Sequence, residues 1–317
     1  MIEEQRIGSN RPVVLCIGGH DPSGGAGILA DAEAIRAAGA FAVTVVTALT
    51  DQDTCGLRHV YPQPPEQVAA QCRALIADST PRAIKIGLIG SAPLVPVLAA
   101  IIDANPSLPV VLDPVLASGA GQSCADSLLL NQLRQQLIPR STLITPNLPE
   151  AHALVGGGTA DQCVTVQTPS PQPPPAGRGG DDQALVEQTP STLAGEGSGG
   201  GEACLHHYAA RLLDTGARWV LITGTHNDTA QVTNRLYGPD GYRQDRDWPR
   251  LPGEYHGSGC TLASAIAARL ARGMTMEEAV AAAQDYTWNT LQQAFRSGRC
   301  QLTPNRLFDL HPGFAQS

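Results

Sequence analysis

The sequence predicts an α/β fold with a mostly parallel central sheet that is covered by helices on both faces. Short apolar runs of strand character alternate along the chain with alanine-rich or amphipathic segments of helical length. Most of the apolar runs end in glycine or in a polar residue that begins a loop. This alternation is typical of βα units, whose strands are buried on both faces. The ligand-binding loops of such sheets follow the carboxyl ends of the strands.

Each element follows from its local pattern, since β-branched apolar runs favour strands and periodic alanine-rich runs favour helices. The predicted strands lie at residues 13–17, 41–49, 83–86, 110–112, 143–144 and 219–222. The predicted helices lie at residues 28–38, 65–76, 95–102, 128–137 and 203–213, and another begins near Asn147. Residues 231–248 alternate polar and apolar side chains around the turn YGPDGY. This pattern predicts a small antiparallel hairpin at the edge of the sheet.

Residues 157–201 interrupt the α/β pattern with a proline-rich stretch and a glycine-rich stretch. The segment has few apolar residues and no periodicity, so it cannot bury enough surface to offset its ordering entropy. We therefore expect a disordered insertion within one domain that spans residues 12–310. A polyproline II segment that binds a partner is the alternative for the proline-rich part.

The composition excludes several functional classes. The net charge of −8 and the absence of a basic cluster argue against a nucleic-acid partner. Lys85 is the only lysine, which argues against a P-loop phosphate site. The eight cysteines are scattered without a C-x-x-C pair, so we expect free thiols in a reducing compartment. The short charged N-terminus and the brief apolar run after it predict a cytoplasmic protein without a membrane partner.

The sequence HGSGC at residues 256–260 directly precedes the apolar stretch 261–268. Two glycines and a serine at a helix start expose backbone amides that have no intrahelical partner. Such amides favour a phosphate or a developing phosphoryl charge, and a cysteine in the first turn favours a thiolate. A glycine-rich helix start with a small buried cysteine is the alternative interpretation.

Several motifs together carry a family resemblance. They are HDPSGGAG at 20–27 leading to Asp31, TAL at 47–49 with Gln52, KIG at 85–87, LDPV at 112–115, TPNLPE at 145–150 and HGSGC at 256–260. In order and spacing they resemble the hydroxymethylpyrimidine/phosphomethylpyrimidine kinases of the ribokinase-like superfamily. The resemblance runs from about residue 12 to residue 308, apart from the insertion.

This resemblance implies a three-layer α/β/α ribokinase-like fold and the use of ATP with Mg²⁺. It implies two successive phosphorylations in thiamin synthesis, first of 4-amino-5-hydroxymethyl-2-methylpyrimidine and then of its monophosphate. It also implies a small-molecule pyrimidine substrate and a homodimer.

The resemblance also implies roles for single residues. The catalytic group is an anion hole with a cysteine where related sugar kinases carry an aspartate base: Gly257, Ser258, Gly259 and Cys260. The substrate-binding positions are Gln52, Asp31, Gly19, Leu88 and Val115. The nucleotide-binding positions are Asn147, Glu150, Thr223, Gly224 and Asp113, with Glu150 binding Mg²⁺ through water. A purely structural capping box is the alternative for Asn147 and Glu150.

Two stretches depart from the family pattern. Residues 116–121 read LASGAG, where members often carry another lysine or TSG. Residues 223–226 read TGTH, where many members have KGGH with a lysine that reaches ATP. Thr223, backbone amides and Mg²⁺ are left to replace that lysine. Two rival functions stay open: a pyridoxal kinase on the same fold, and a catalytically weak relative that binds the ligand. A dinucleotide oxidoreductase is disfavoured, because the first loop carries Pro22 and lacks the G-x-G-x-x-G fingerprint.

Overall fold

The structure is a computed structural model that describes residues 11–117, 124–156, 198–225 and 229–309. The described residues form nine strands and eight α-helices. The strands are β1 (Val13–His20), β2 (Phe41–Asp53), β3 (Gly56–Pro62), β4 (Ala83–Ile86), β5 (Val110–Leu112), β6 (Leu143–Ile144), β7 (Trp219–Ile222), β8 (Gln231–Tyr237) and β9 (Arg243–Pro249). The helices are α1 (Gly27–Ala37), α2 (Pro65–Ser79), α3 (Leu94–Asp103), α4 (Ser127–Gln132), α5 (Leu148–Val155), α6 (Ser198–Asp214), α7 (Ser258–Ala271) and α8 (Met276–Gln292).

All nine strands belong to one sheet in the order β3-β2-β1-β4-β5-β6-β7-β8-β9. The six central strands from β2 to β7 pair in parallel, which confirms the predicted sheet. The β8–β9 pair is antiparallel and closes one edge, as the alternating pattern of residues 231–248 predicts. The carboxyl ends of the parallel strands therefore meet along one edge of the sheet, where their loops can form a site.

The strand β3 was not expected from the sequence. It pairs antiparallel with the extended end of β2, so an antiparallel hairpin lies at the second edge of the sheet as well. Its side chains are mostly exposed or half-buried, so this edge strand lacks the apolar run that marks the central ones. The register of the β2–β3 pair shifts between Asp51 and Gln52. Such a bulge re-aims the neighbouring side chain.

Two apolar clusters cover the two faces of the sheet and complete the three layers. The larger cluster packs α2, α3, α4, α5 and α6 against one face. The smaller cluster packs α1, α7 and α8 against the other face and contains many alanines, which allow close approach of these helices. The site loops lie above the sheet edge between these two layers.

The helices differ most from the expected ones in three places. The predicted helix 128–137 is α4 followed by a π-helical turn over Leu133–Leu137. Helix α6 begins at Ser198, five residues before the predicted start, so residues 198–201 are helical although they were assigned to the insertion. The remainder of that predicted insertion, residues 157–197, lies outside the described residues. Helix α8 was not predicted and begins with a capping box between Thr275 and Glu278.

The expectation that all cysteines are free thiols was wrong. Cys55, after β2, forms a disulfide with Cys300 near the end of the chain, and Cys204 is disulfide-bonded as well. The pairing of Cys55 with Cys300 spans 245 positions, so spacing along the sequence does not reveal it. Among the described residues, Cys16, Cys72 and Cys260 are free thiols. Within the same residues, we find no helix with the length and apolar character needed to cross a membrane.

Candidate active site

The N-terminus of α7 lies at the carboxyl edge of the sheet, and its first turn carries the predicted anion hole. Gly257 is the N-cap with φ of 82°, and no side chain of the described residues caps the helix there. A Cβ at Gly257 would collide with the Gly25 carbonyl and lie 2.8 Å from the Ala26 Cα, so only glycine fits between α7 and the first loop. The amides of Ser258 and Gly259 are therefore left for a ligand or for water.

Cys260 lies in this first turn and is half-buried. Its sulfur is within hydrogen-bonding reach of the Asp113 carboxylate and of the Gly27 amide. Burial raises the pKa of the thiol to about 12, and the nearby positive charge of Lys85 offsets this only in part. At neutral pH the free protein therefore carries a protonated thiol, which differs from the thiolate that the helix N-terminus alone would favour.

A buried group of charges lies beneath α7. Lys85 on β4 is completely buried, and its Nζ donates to Asp31 Oδ1 at 2.8 Å and lies 3.6 Å from Asp113 Oδ2. Ser264 of α7 donates a second hydrogen bond to Asp31 Oδ1 at 2.7 Å. The predicted substrate residue Asp31 is thus fully buried and ion-paired. Its Oδ2 has no hydrogen-bond partner among the described residues.

Burial and the neighbouring charges shift the pKa values of Lys85 and Asp113. Burial lowers the pKa of Lys85, but the charges of Asp31 and Asp113 outweigh burial and leave that pKa raised, so the lysine is cationic. Burial raises the pKa of Asp113, and Lys85 opposes that shift. The Lys85 ammonium therefore holds two carboxylates in place under the helix N-terminus.

Asn147 and Glu150 form the capping box that the sequence suggested as their structural role. Asn147 Oδ1 accepts from the Glu150 amide at 2.9 Å, and Glu150 Oε2 accepts from the Asn147 amide at 2.9 Å. Glu150 Oε1 also accepts from the Leu116 amide at 3.4 Å, which ties α5 to the loop after β5. Burial and the charge of Asp113 raise the pKa of Glu150 to about 8.

The predicted walls of the site lie on neighbouring strands. A Cβ at Gly19 would lie 2.7 Å from the Leu88 side chain, so these two positions are in direct contact. Val115 is half-buried just beyond β5. Thr223 follows β7 and bridges to Asn147, whereas Gly224 is buried against β8. The structure brings both halves of the predicted site to the same edge of the sheet.

Gln52, on the bulge of β2, reaches the start of α7. Its amide group lies 3.1 Å from His256 Nε2, and His256 Nε2 lies 2.7 Å from Asp21 Oδ2. Asp21 also accepts from the Ser23 amide, the Ser23 hydroxyl and the Ala26 amide, so it organises the first glycine-rich loop. The motifs that contain Asp21, Ser23 and His256 predict no role for the His256 side chain.

Arg306 is a second residue that sequence reasoning missed. Its side chain is completely buried, and its guanidinium bonds Thr261 Oγ1 of α7, the Gly25 carbonyl and Glu33 of α1. A buried arginine that donates to main-chain carbonyls fixes a loop tightly, because leaving those donors unpaired would be costly. Nothing in the local sequence near Arg306 signals this contact.

Comparisons with known proteins agree with this architecture. The sequence model of the phosphomethylpyrimidine kinase family matches residues 21–168 and 191–305. The hydroxymethylpyrimidine/phosphomethylpyrimidine kinase of Streptomyces coelicolor is 33% identical over 293 residues, which are 90% of this chain and 91% of that protein.

Two solved structures share the fold. An ADP complex of Bacillus subtilis pyridoxal kinase superposes with a TM-score of 0.73 at 22% identity and covers 94% of this chain and 98% of its own. The phosphomethylpyrimidine kinase of Clostridium difficile superposes with a TM-score of 0.66 at 26% identity and covers 89% of this chain and 100% of its own. The family model and the Streptomyces relative each match most of this sequence. The chain therefore belongs to the phosphomethylpyrimidine kinase family.

Proposed function

We propose that this chain transfers the γ-phosphoryl group of ATP to the hydroxymethyl oxygen of 4-amino-5-hydroxymethyl-2-methylpyrimidine and then to the resulting monophosphate. The observation that carries the proposal is the uncapped N-terminus of α7, which lies beside Asp113 and Cys260 at the carboxyl edge of the sheet. Family membership supports the kinase class, and the name of the Streptomyces relative carries both pyrimidine activities.

The α7 amides supply the electrostatic part of the reaction. Phosphoryl transfer needs positioning and charge stabilisation more than covalent help from the protein. The first amides of a helix carry about half a positive charge, and Gly259 is exposed, so oxygens of the transferring phosphoryl group can approach them. Gly257, Ser258 and Gly259 thus form the anion hole in this proposal.

The residues fit ATP with a water-mediated Mg²⁺. Among the described residues, no three His, Cys, Asp or Glu side chains converge to hold a metal directly. Mg²⁺ keeps several waters and needs few carboxylates, and buried Asp113 Oδ2 has no hydrogen-bond partner in the described part of the chain. Mg²⁺ supplies charge neutralisation on the phosphates. We assign its waters to Glu150 and Asp113, and the nucleotide to Asn147, Thr223 and Gly224.

Cys260 contacts the hydroxymethyl end of the substrate in this proposal. A protonated thiol cannot act as a base, so a general-base role would need a ligand or cation that lowers its pKa from about 12. The loose transition state of phosphoryl transfer needs little base help. The thiol therefore positions the acceptor oxygen beside the anion hole, and its basicity has a minor part.

Gln52 recognises the aminopyrimidine, with Gly19, Leu88 and Val115 as the walls around the ring. An aminopyrimidine presents an amine donor and ring-nitrogen acceptors, and an amide side chain offers the complementary pair. Asp31 supports this site from below, because Lys85 and Ser264 hold its carboxylate in the buried layer.

The deciding experiment is a coupled ADP-release assay with the hydroxymethylpyrimidine and with pyridoxal. We expect a higher kcat/KM for the pyrimidine, and a preference for pyridoxal would favour the rival kinase. Binding of either ligand without ADP release would favour the catalytically weak relative. The pyridoxal kinase alternative rests on the shared fold, since the Bacillus subtilis structure is 22% identical.

Two further proposals concern the setting of the enzyme. We propose a homodimer in the cytoplasm, and light scattering coupled to gel filtration tests the dimer. The Cys55–Cys300 disulfide would be unusual in the cytoplasm, because disulfides are rare in reducing compartments. Thiol labelling of protein from freshly lysed cells would measure how much of this pair is oxidised there.

A further inference from the structure

Three side chains from separate parts of the chain meet beside the first turn of α7. Asp21 follows β1, Gln52 lies on the bulge of β2, and His256 immediately precedes the Gly257 N-cap. His256 Nε2 lies 2.7 Å from Asp21 Oδ2 and 3.1 Å from the Gln52 amide group. Asp21 is 2% exposed and His256 is 4% exposed, so water competes little for these contacts.

The protonation of this group follows from its partners. Burial alone would raise the pKa of Asp21. The hydrogen bonds from His256 and Ser23 outweigh burial and leave that pKa lowered, so the carboxylate is ionised. An ionised carboxylate only accepts, so His256 Nε2 carries a proton and donates to Asp21. The single Nε2–H is then shared between Asp21, at 2.7 Å, and the Gln52 amide, at 3.1 Å, so the amide must present an acceptor to it.

This requirement assigns the orientation of the Gln52 amide. The amide nitrogen, as placed, faces a ring nitrogen that is itself a donor, and two donors cannot bond. Turning the amide by 180° lets Oε1 accept from His256, and Nε2 then donates to Thr50 Oγ1 across the 3.3 Å contact. Thr50 can accept because its own hydroxyl proton goes to the His20 carbonyl at 2.8 Å. One Gln52 N–H and one oxygen lone pair then have no partner among the described residues.

The His256 ring cannot turn to offer another atom. A Cβ at Gly25 would overlap the ring, so the loop backbone packs directly against it. The His256 amide donates to the Leu302 carbonyl at 2.9 Å, which holds the main chain at the same place. Asp21 in turn is held by Ser23 and by the Ala26 amide. The donor that faces Gln52 is therefore preset in the folded chain.

We propose that His256 is a specificity-determining positioning residue, which fixes the Gln52 amide so that it presents one donor and one acceptor in a set order to the pyrimidine. The inference rests on the proposed role of Gln52 in substrate binding. An amide free to turn would present the reversed order half of the time, and that order pairs donor with donor on an aminopyrimidine. His256 thus acts through Gln52 and not on the phosphoryl group.

The test is a double-mutant cycle with His256→Phe, which keeps a ring but removes the donor, and Gln52→Ala. We expect His256→Phe to raise the KM for the hydroxymethylpyrimidine by about tenfold to a hundredfold and to change kcat by less than about threefold. In the Gln52→Ala background His256→Phe should have no further effect on KM. His256→Gln, which keeps an N–H donor on a side chain of similar reach, should restore most of the affinity.

Two outcomes would overturn the inference. If the effects of His256→Phe and Gln52→Ala on KM are additive, His256 does not act through Gln52. If His256→Phe and His256→Gln both lower kcat alone, the residue supports α7 and not the substrate. Equal melting temperatures of the variants show that folding is intact. A wild-type protein that releases no ADP with the pyrimidine would instead refute the proposed function, so the two failures are distinguishable.

Discussion

Replacing Lys85 by methionine should destabilise the fold by several kcal/mol, because methionine keeps most of the volume but removes a buried charge. The Lys85 Nζ lies 2.8 Å from Asp31 Oδ1 and 3.6 Å from Asp113 Oδ2. At an effective dielectric constant of about 20, these attractions amount to about 6 and about 5 kcal/mol before the cost of desolvation. After that cost, breaking a buried pair by removing one partner typically loses about 3–5 kcal/mol.

The free energy of unfolding that Lys85→Met loses should increase as the pH rises. Burial already raises the pKa of Asp113, and Lys85→Met removes the opposing charge of Lys85, so the folded-state pKa of Asp113 lies further above that of the unfolded chain. A raised carboxylate pKa gives stability that is present below the unfolded value and is lost as pH rises through the folded value. The deficit of the variant should therefore be larger at pH 8 than at pH 5.

Urea unfolding at both pH values measures this deficit, and Lys85→Met/Asp31→Asn is the matched control. The double variant removes one of the two orphaned charges, so it should be destabilised by clearly less than the sum of the single variants. A loss below about 1 kcal/mol in Lys85→Met, or additivity in the double variant, would refute the electrostatic account of this cluster.

Three other changes test separate parts of the structure. Cys55→Ser should lower the free energy of unfolding by about 2–5 kcal/mol. A dithiol reductant should destabilise the wild type more than this variant. Equal destabilisation of the two proteins by the reductant would contradict the Cys55–Cys300 pairing. Without nucleotide, wild-type stability should fall relative to Glu150→Gln as pH rises from about 4.5 to about 8, because burial raises the pKa of Glu150 to about 8. Parallel urea-unfolding profiles of these two proteins would argue against it. Cys260→Ala should lower turnover at an unchanged melting temperature, and unchanged turnover in the ADP-release assay would remove the thiol from the mechanism but leave the anion hole.

The layered fold was predictable because burial on both faces forces a recognisable pattern on the central strands. Strands β4, β5, β6 and β7 have the bounds that their apolar runs predict. The edge strand β3 was not predicted, since most of its side chains are exposed or half-buried and its sequence carries no apolar alternation. The structure also lengthens β2 to Asp53, and this extension carries Gln52 to the start of α7.

The site was predictable where one local sequence builds it and was missed where distant residues meet. The start of α7 follows from two glycines before an apolar helix, and the Asn147 capping box follows from its i, i+3 spacing. The pairing of Lys85 with Asp31 joins residues 54 positions apart, and the bond between Arg306 and Gly25 joins residues 281 apart. No local propensity encodes such contacts, because they depend on how α1, β4 and α7 pack together.

The burial of Lys85 supports the assignment of main-chain amides as the phosphate site. Lysine occurs once in the chain, and that lysine is completely buried and bonded to Asp31. An ammonium held at 2.8 Å from a carboxylate cannot extend to a phosphate without leaving that carboxylate buried and unpaired. With position 223 a threonine, no lysine is available to contact ATP. Lys85 instead offsets the charges of Asp31 and Asp113 beneath α7, so the helix amides above them can accept an anion.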